Sequence, residues 1–67
     1  MRITLNDIPE ELPGDATTAR DVLAAKGWSF PLIIMKVNGV LVPRDAWDGF
    51  VIRDGDAVEA LHLVSGG

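Results

Sequence analysis

Cysteine is absent from all 67 residues, so the chain can form no disulfide framework, ligate no iron–sulfur cluster through thiolates and offer no thiol nucleophile. Tyrosine is absent as well, and histidine occurs once, as His62. Ser29 and Ser65 have no base near them in sequence, so a nucleophilic triad requires His62 to meet a serine through folding alone. Asp54-Gly55-Asp56 has the opening of a calcium loop but lacks the acidic ligands such a loop needs at later positions, and it reads as a tight turn. His62 and the aspartates also lack the clustered spacing of a zinc site. The expectation is a chain that carries no catalytic residue, binds no metal and holds no cofactor of its own.

Basic charge is scarce. Six Lys and Arg stand against ten Asp and Glu, a formal net charge of −4. The six are scattered as Arg2, Arg20, Lys26, Lys36, Arg44 and Arg53, with no stripe suited to tracking phosphates. No nucleic acid is expected as a partner, and Trp28 and Trp47 read as core or rim packing instead of a base-stacking pair. The acidic balance favours a basic docking face on any protein partner. Gly39 and Gly55 are turn glycines, since no glycine-rich loop opens the one clear helix. Long apolar runs are missing too. The longest aliphatic one, Leu32-Ile33-Ile34-Met35, is far short of a membrane span, and Met1 leads straight into strand-like alternation with no signal-peptide pattern. A cytoplasmic protein without a membrane partner is expected.

What is present belongs to a folded domain: 48% hydrophobic and 24% charged residues. A chain of this size buries only about 60% of the surface it exposes when unfolded, so an enclosed pocket would consume much of its core. That argues against a self-sufficient enzyme.

Arg2 to Asn6 alternates, placing Ile3 and Leu5 on one face of a first strand. Asp7, Pro9, Pro13 and Gly14 leave room for a short second strand around Glu10 to Leu12, at a sheet edge where proline's missing donor does least harm. Thr17 or Thr18 caps a helix carrying Ala19, Val22 and Leu23, which Gly27 stops. β-Branched Ile33, Ile34 and Val37 mark a strand over Leu32 to Asn38, and Asn38-Gly39 turns it into a returning Val40 to Val42. Pro43 ends that strand, and Arg44 to Gly49 forms a helical turn anchored by Trp47. Phe50 to Ile52 leads into the Asp54-Gly55-Asp56 turn, and Ala57 to Val64 is the final strand. The class is α+β, as one domain over residues 1–64 with an exposed tail at 65–67.

The tail has no internal use. The final strand runs into Ser65-Gly66-Gly67, and two terminal glycines pack nothing and keep high conformational entropy. An unbranched end of this kind can thread a narrow enzyme channel and present the Gly67 carboxylate to chemistry. Strand parity offers a docking surface beside it. With Val58 and Ala60 turned inward, Leu61 and Leu63 face outward, and with Val40 and Val42 inward, Leu41 does too.

The terminal Gly-Gly, the Asn38-Gly39 turn, Val42-Pro43-Arg44 with Trp47 three residues on, and Asp54-Gly55-Asp56 with Val58-Glu59 resemble the ThiS family of sulfur carriers in thiazole synthesis. The stretch from Val37 to Trp47 favours that family over the small subunit of molybdopterin synthase, whose terminal chemistry is the same. The resemblance implies a ubiquitin-like β-grasp fold, a mixed sheet wrapped around one helix, with a flexible C-terminal tail. It implies that Gly67 is adenylated by an ATP-dependent activating enzyme and converted to a thiocarboxylate with sulfur from a persulfide donor. The thiocarboxylate then supplies thiazole synthase on the route to thiamin. In that scheme ATP is used by the partner, and the chain is a carrier, not an enzyme. The alternatives are a molybdopterin-type carrier, a ubiquitin-like tag joined to lysines through Gly67, and a noncovalent β-grasp module with an incidental tail.

Overall fold

The computed structural model describes residues 1–28 and 32–62. Strand β1 (Arg2–Leu5) buries Ile3 and Leu5 and turns Arg2 and Thr4 to the other face. Asn6 and Asp7 follow with φ of 52° and 67°, left-handed values that short side chains with local hydrogen-bonding power tolerate best. They close a two-residue turn, so strand β2 begins at Ile8 and runs to Glu11 (Ile8–Glu11), two residues ahead of the expected start. Pro9 lies in this edge strand, as its missing N–H requires.

Helix α1 (Ala19–Lys26) starts and stops where its capping residues dictate. The Thr18 hydroxyl accepts from the Asp21 amide at 3.2 Å, and Gly27 takes φ of 71° and donates back to Ala24. Its first two amides find carbonyls far along the chain: Ala19 donates to Phe50 and Arg20 to Trp47, each at 3.1 Å. These contacts continue a ribbon absent from the sequence reading, in which β3 (Ala16–Thr18) pairs antiparallel with β6 (Val51–Arg53). Both strands have three residues, too few for alternation to register.

Strands β4 (Ile33–Val37) and β5 (Val40–Val42) form the hairpin closed by Asn38 and Gly39, at φ of 52° and 81°. After Pro43 the chain makes a 3₁₀ turn over Arg44–Ala46 that drives Trp47 into the core, 2% exposed, where its indole N–H donates to the Val42 carbonyl at 2.9 Å. Strand β7 (Ala57–His62) enters the middle of a five-stranded sheet ordered β2-β1-β7-β4-β5, parallel to β1 and antiparallel to β4. Helix α1 lays Ala19, Val22 and Leu23 in one core cluster with Ile3 and Leu5 of β1, Met35 and Val37 of β4, and Val58 and Ala60 of β7. Lys26 ties α1 to β2 through Glu10 at 2.8 Å. This is the mixed sheet around one helix that the sequence implies. One inward assignment fails: Val40 is 59% exposed, because it stands at the hairpin end of an edge strand.

Asparagine side chains fasten β7 at two points. Asn6 donates to the Ala60 carbonyl at 3.1 Å and accepts from the Ala60 amide at 2.9 Å, extending the ladder past the end of β1. Asn38 accepts from the Ala57 amide at 2.9 Å while its own backbone N–H donates to the Ala57 carbonyl at 2.7 Å. Replacing Asn6 by alanine loses two hydrogen bonds and forces a Cβ residue without a polar tip into left-handed backbone, a cost of about 2–4 kcal/mol. Asn6→Gly keeps the backbone favourable and loses only the bonds, so it should cost about 1–2 kcal/mol less than Asn6→Ala. Denaturant unfolding of the three proteins checks both the loss and its division.

Candidate functional site

Alternation divides β7 between two surfaces. Val58 and Ala60 are buried beneath α1, whereas Glu59 and Leu61 emerge on the opposite, outer face of the sheet. Antiparallel register places Leu61 opposite Ile34 and Glu59 opposite Lys36, and Lys36 in turn stands opposite Leu41 of β5. Leu41 and Leu61 are 59% and 45% exposed, so both expectations of outward leucines hold. Half-buried Ile34 lies opposite Leu61 and diagonal to Leu41, which joins the two leucines into one apolar stripe crossing three strands. Lys36 and Glu59 interrupt it with one charge of each sign.

Ile34 was not legible as part of this surface, although the same parity argument reaches it once Met35 is recognised as core. Leu63, Ser65, Gly66 and Gly67, and with them the carboxylate expected to be modified, lie outside the described residues, as does Ser29. His62 ends the described part of β7, exposed and registered against Ile33. The Asp54-Gly55-Asp56 segment is a turn in fact: Asp56 accepts from the Arg53 amide at 2.9 Å and Asp54 from the Arg2 amide at 2.7 Å, so both carboxylates serve the backbone. Among the described residues no three His, Asp or Glu side chains are grouped to hold a metal ion. Trp28 packs half-buried against the core and Trp47 within it, as read from the sequence. No helix among the described residues is long and apolar enough to cross a membrane.

The family model described as "ThiS family" matches residues 3–67. The chain belongs to the ThiS family. The crystal structure of the thiamine biosynthesis protein (ThiS) from Geobacter metallireducens superposes with a TM-score of 0.87 at 30% sequence identity, covering 100% of both chains. An NMR solution structure of a thiamine biosynthesis protein from the same organism gives 0.81 at 30% identity, over 100% of this chain and 88% of that one. The resemblance read from the turn and tail motifs is thereby established, and with it the β-grasp architecture of the ThiS family.

The two faces of β7 make opposite predictions for one substitution. Leu61→Glu places a carboxylate in solvent beside Lys36's strand and should change stability by no more than about 1 kcal/mol. Val58→Glu drives the same carboxylate into the core, where Val58 is 1% exposed, and should unfold the domain, since the unpaired buried charge costs several kcal/mol in a domain of small total stability. Thermal unfolding followed by circular dichroism separates them.

Proposed function

We propose that this ThiS-family chain is a sulfur carrier for thiazole formation in thiamin biosynthesis, loaded and unloaded at the Gly67 carboxylate. The observation that carries the reading is the family match, which runs from the first strand through the terminal Gly-Gly. The solved relatives, named as thiamine biosynthesis proteins, favour thiazole synthase over a molybdopterin pathway as the acceptor. The proposed division of labour is a β-grasp domain over residues 1–64 and an exposed tail of Ser65, Gly66 and Gly67.

A carboxylate resists attack because its negative charge repels nucleophiles and oxide is a very poor leaving group. In the proposed activation, the Gly67 carboxylate attacks the α-phosphorus of ATP on an activating enzyme and pyrophosphate leaves. The terminal sulfur of a partner's persulfide then attacks the acyl carbon and expels AMP, giving an acyl disulfide. A thiol of the partner set takes up the inner persulfide sulfur as a disulfide, and the electron pair of the broken S–S bond stays on the acyl sulfur as a thiocarboxylate. No side chain of this protein acts in these steps, and without cysteine it has no thiol that could intercept the acyl adenylate or exchange with the persulfide. ATP is the activating partner's substrate, and these partners share the cytoplasm with the carrier.

Leu41, Leu61 and Leu63 form the proposed partner interface. The Leu41–Ile34–Leu61 stripe supports this, because its last member belongs to the strand that leads into the tail.

Intact-mass spectrometry after incubation with ATP, the activating enzyme and a persulfide source is the direct test. The expected product has one oxygen replaced by sulfur, localised to Gly67; an unchanged mass with a competent partner set overturns the reading. A tail extended by one alanine should give no product, because its carboxylate is displaced from the catalytic geometry. Leu61→Glu should fold normally and lower kcat/KM for adenylation by about tenfold, the loss of a modest hot spot. Recovery of Gly67 in isopeptide linkage to other proteins would point instead to a conjugation tag.

A further inference from the structure

The inner side of the sheet carries an open trough that none of the chemistry above uses. It has two adjoining lobes of about 270 and 260 Å³, both walled by Trp28 and Ile33. The first reaches α1 and the 3₁₀ turn, where Arg20 and Arg44 line it together with Trp47 and Ala24. The second is walled by Asn6, Ala60 and His62 at the end of β7.

Composition sets the first lobe apart from the rest of this acidic protein. Two of the chain's six basic residues line it, and among the described residues no carboxylate does. Their guanidinium carbons lie 5.3 and 4.6 Å from the centroid of the same indole, Trp47, and Lys26 stands 5.7 Å from the Trp28 ring. Cations held over aromatic rings keep their charge in a fixed place with their stems packed. A carboxylate already visits from the rim: Asp48 accepts from Arg20 Nε at 2.9 Å, which uses one of that guanidinium's five N–H donors. The second lobe has an apolar floor, with Ala60 only 8% exposed.

We infer that the trough receives an extended segment of a partner protein, bearing a carboxylate residue and, two positions along, an aliphatic one. Both lobes lie open to solvent along one side, whereas small-molecule sites generally enclose most of their ligand's surface. Alternate residues of an extended strand project to the same side, which matches two neighbouring lobes separated by the Trp28–Ile33 wall. Arginine recognises carboxylate through paired N–H donors, so the charged residue belongs at the first lobe. The second lobe ends at His62, beside the strand that leads to the tail. A segment seated there comes from a protein that handles the tail; this identity rests on the sulfur-carrier reading, but the binding itself does not.

The test uses the full chain and a capped peptide, acetyl-Glu-Thr-Leu-Thr-amide. Trp28 and Trp47 are the only two tryptophans and both line the first lobe, so intrinsic fluorescence reports on occupancy. Saturable change with Kd on the order of 1 mM is expected, the scale of a short unconstrained peptide. The Lys-Thr-Leu-Thr counterpart should bind at least about tenfold more weakly. Ala24→Glu, at an exposed helix position, should weaken the first peptide by about tenfold without loss of helical signal. Arg20→Gln should weaken it as well, and amide shifts should centre on Arg20, Ala24, Trp28 and Trp47. No saturation by about 10 mM, equal binding of the lysine peptide, indifference to Ala24→Glu, or shifts centred on Leu41 and Leu61 each overturns the proposal. The titration needs no activating enzyme. A chain that binds the peptide but is never thiocarboxylated keeps the trough and loses the carrier role, and the reverse result keeps the role and loses the trough.

Discussion

The fixing of β7 in the middle of the sheet is the constraint on which the rest of the molecule depends. One neighbour, β1, runs parallel, and the antiparallel one, β4, is separated from β7 by β5, the 3₁₀ turn and β6, so β7 is not delivered by a simple hairpin on either side. Its pairing with β1 closes the fold from one end of the chain to the other. Asn38 holds its first residue and Asn6 its fourth, each from a tight turn whose left-handed backbone brings the amide within reach. Two turns that look like simple reversals are therefore also clamps on the strand that leads to the tail.

Trp47 plays the corresponding part for the layer that covers the sheet. Its indole fills the core, its N–H satisfies Val42, and its carbonyl takes an amide from the first turn of α1. Helix, 3₁₀ turn and β5 are thus joined through one residue. Arg20 and Arg44 shield the ring, so the same side chain that closes the core also sets the position of two charges outside it.

Much of this was legible in the sequence because the signals are local. Thr18 and Gly27 bounded the helix, Asn38-Gly39 announced its hairpin, and alternation in β1 and β7 assigned inward and outward faces correctly at Ile3, Leu5, Val58, Ala60 and Leu61. Contacts with no local signature stayed hidden. The β3–β6 ribbon consists of two three-residue strands that meet only when the chain folds, and the first helical amides take their partners from Phe50 and Trp47. Val40 had the right parity, but parity does not say whether anything covers a residue at a sheet's rim. The leucine surface was found in part, without Ile34, and the first lobe of the trough was invisible because Arg20 and Arg44 are brought together by Trp47.

Because neighbouring residues of β7 serve opposite surfaces, its length is quantised. Inserting one residue between the two asparagine clamps would exchange the valine and alanine of the core for the glutamate and leucine of the outer face. Inserting two would preserve the facing but misalign a clamp. Residues added beyond Ala60 would leave both clamps in register, so the length of the chain that follows is free of the constraint that fixes the strand.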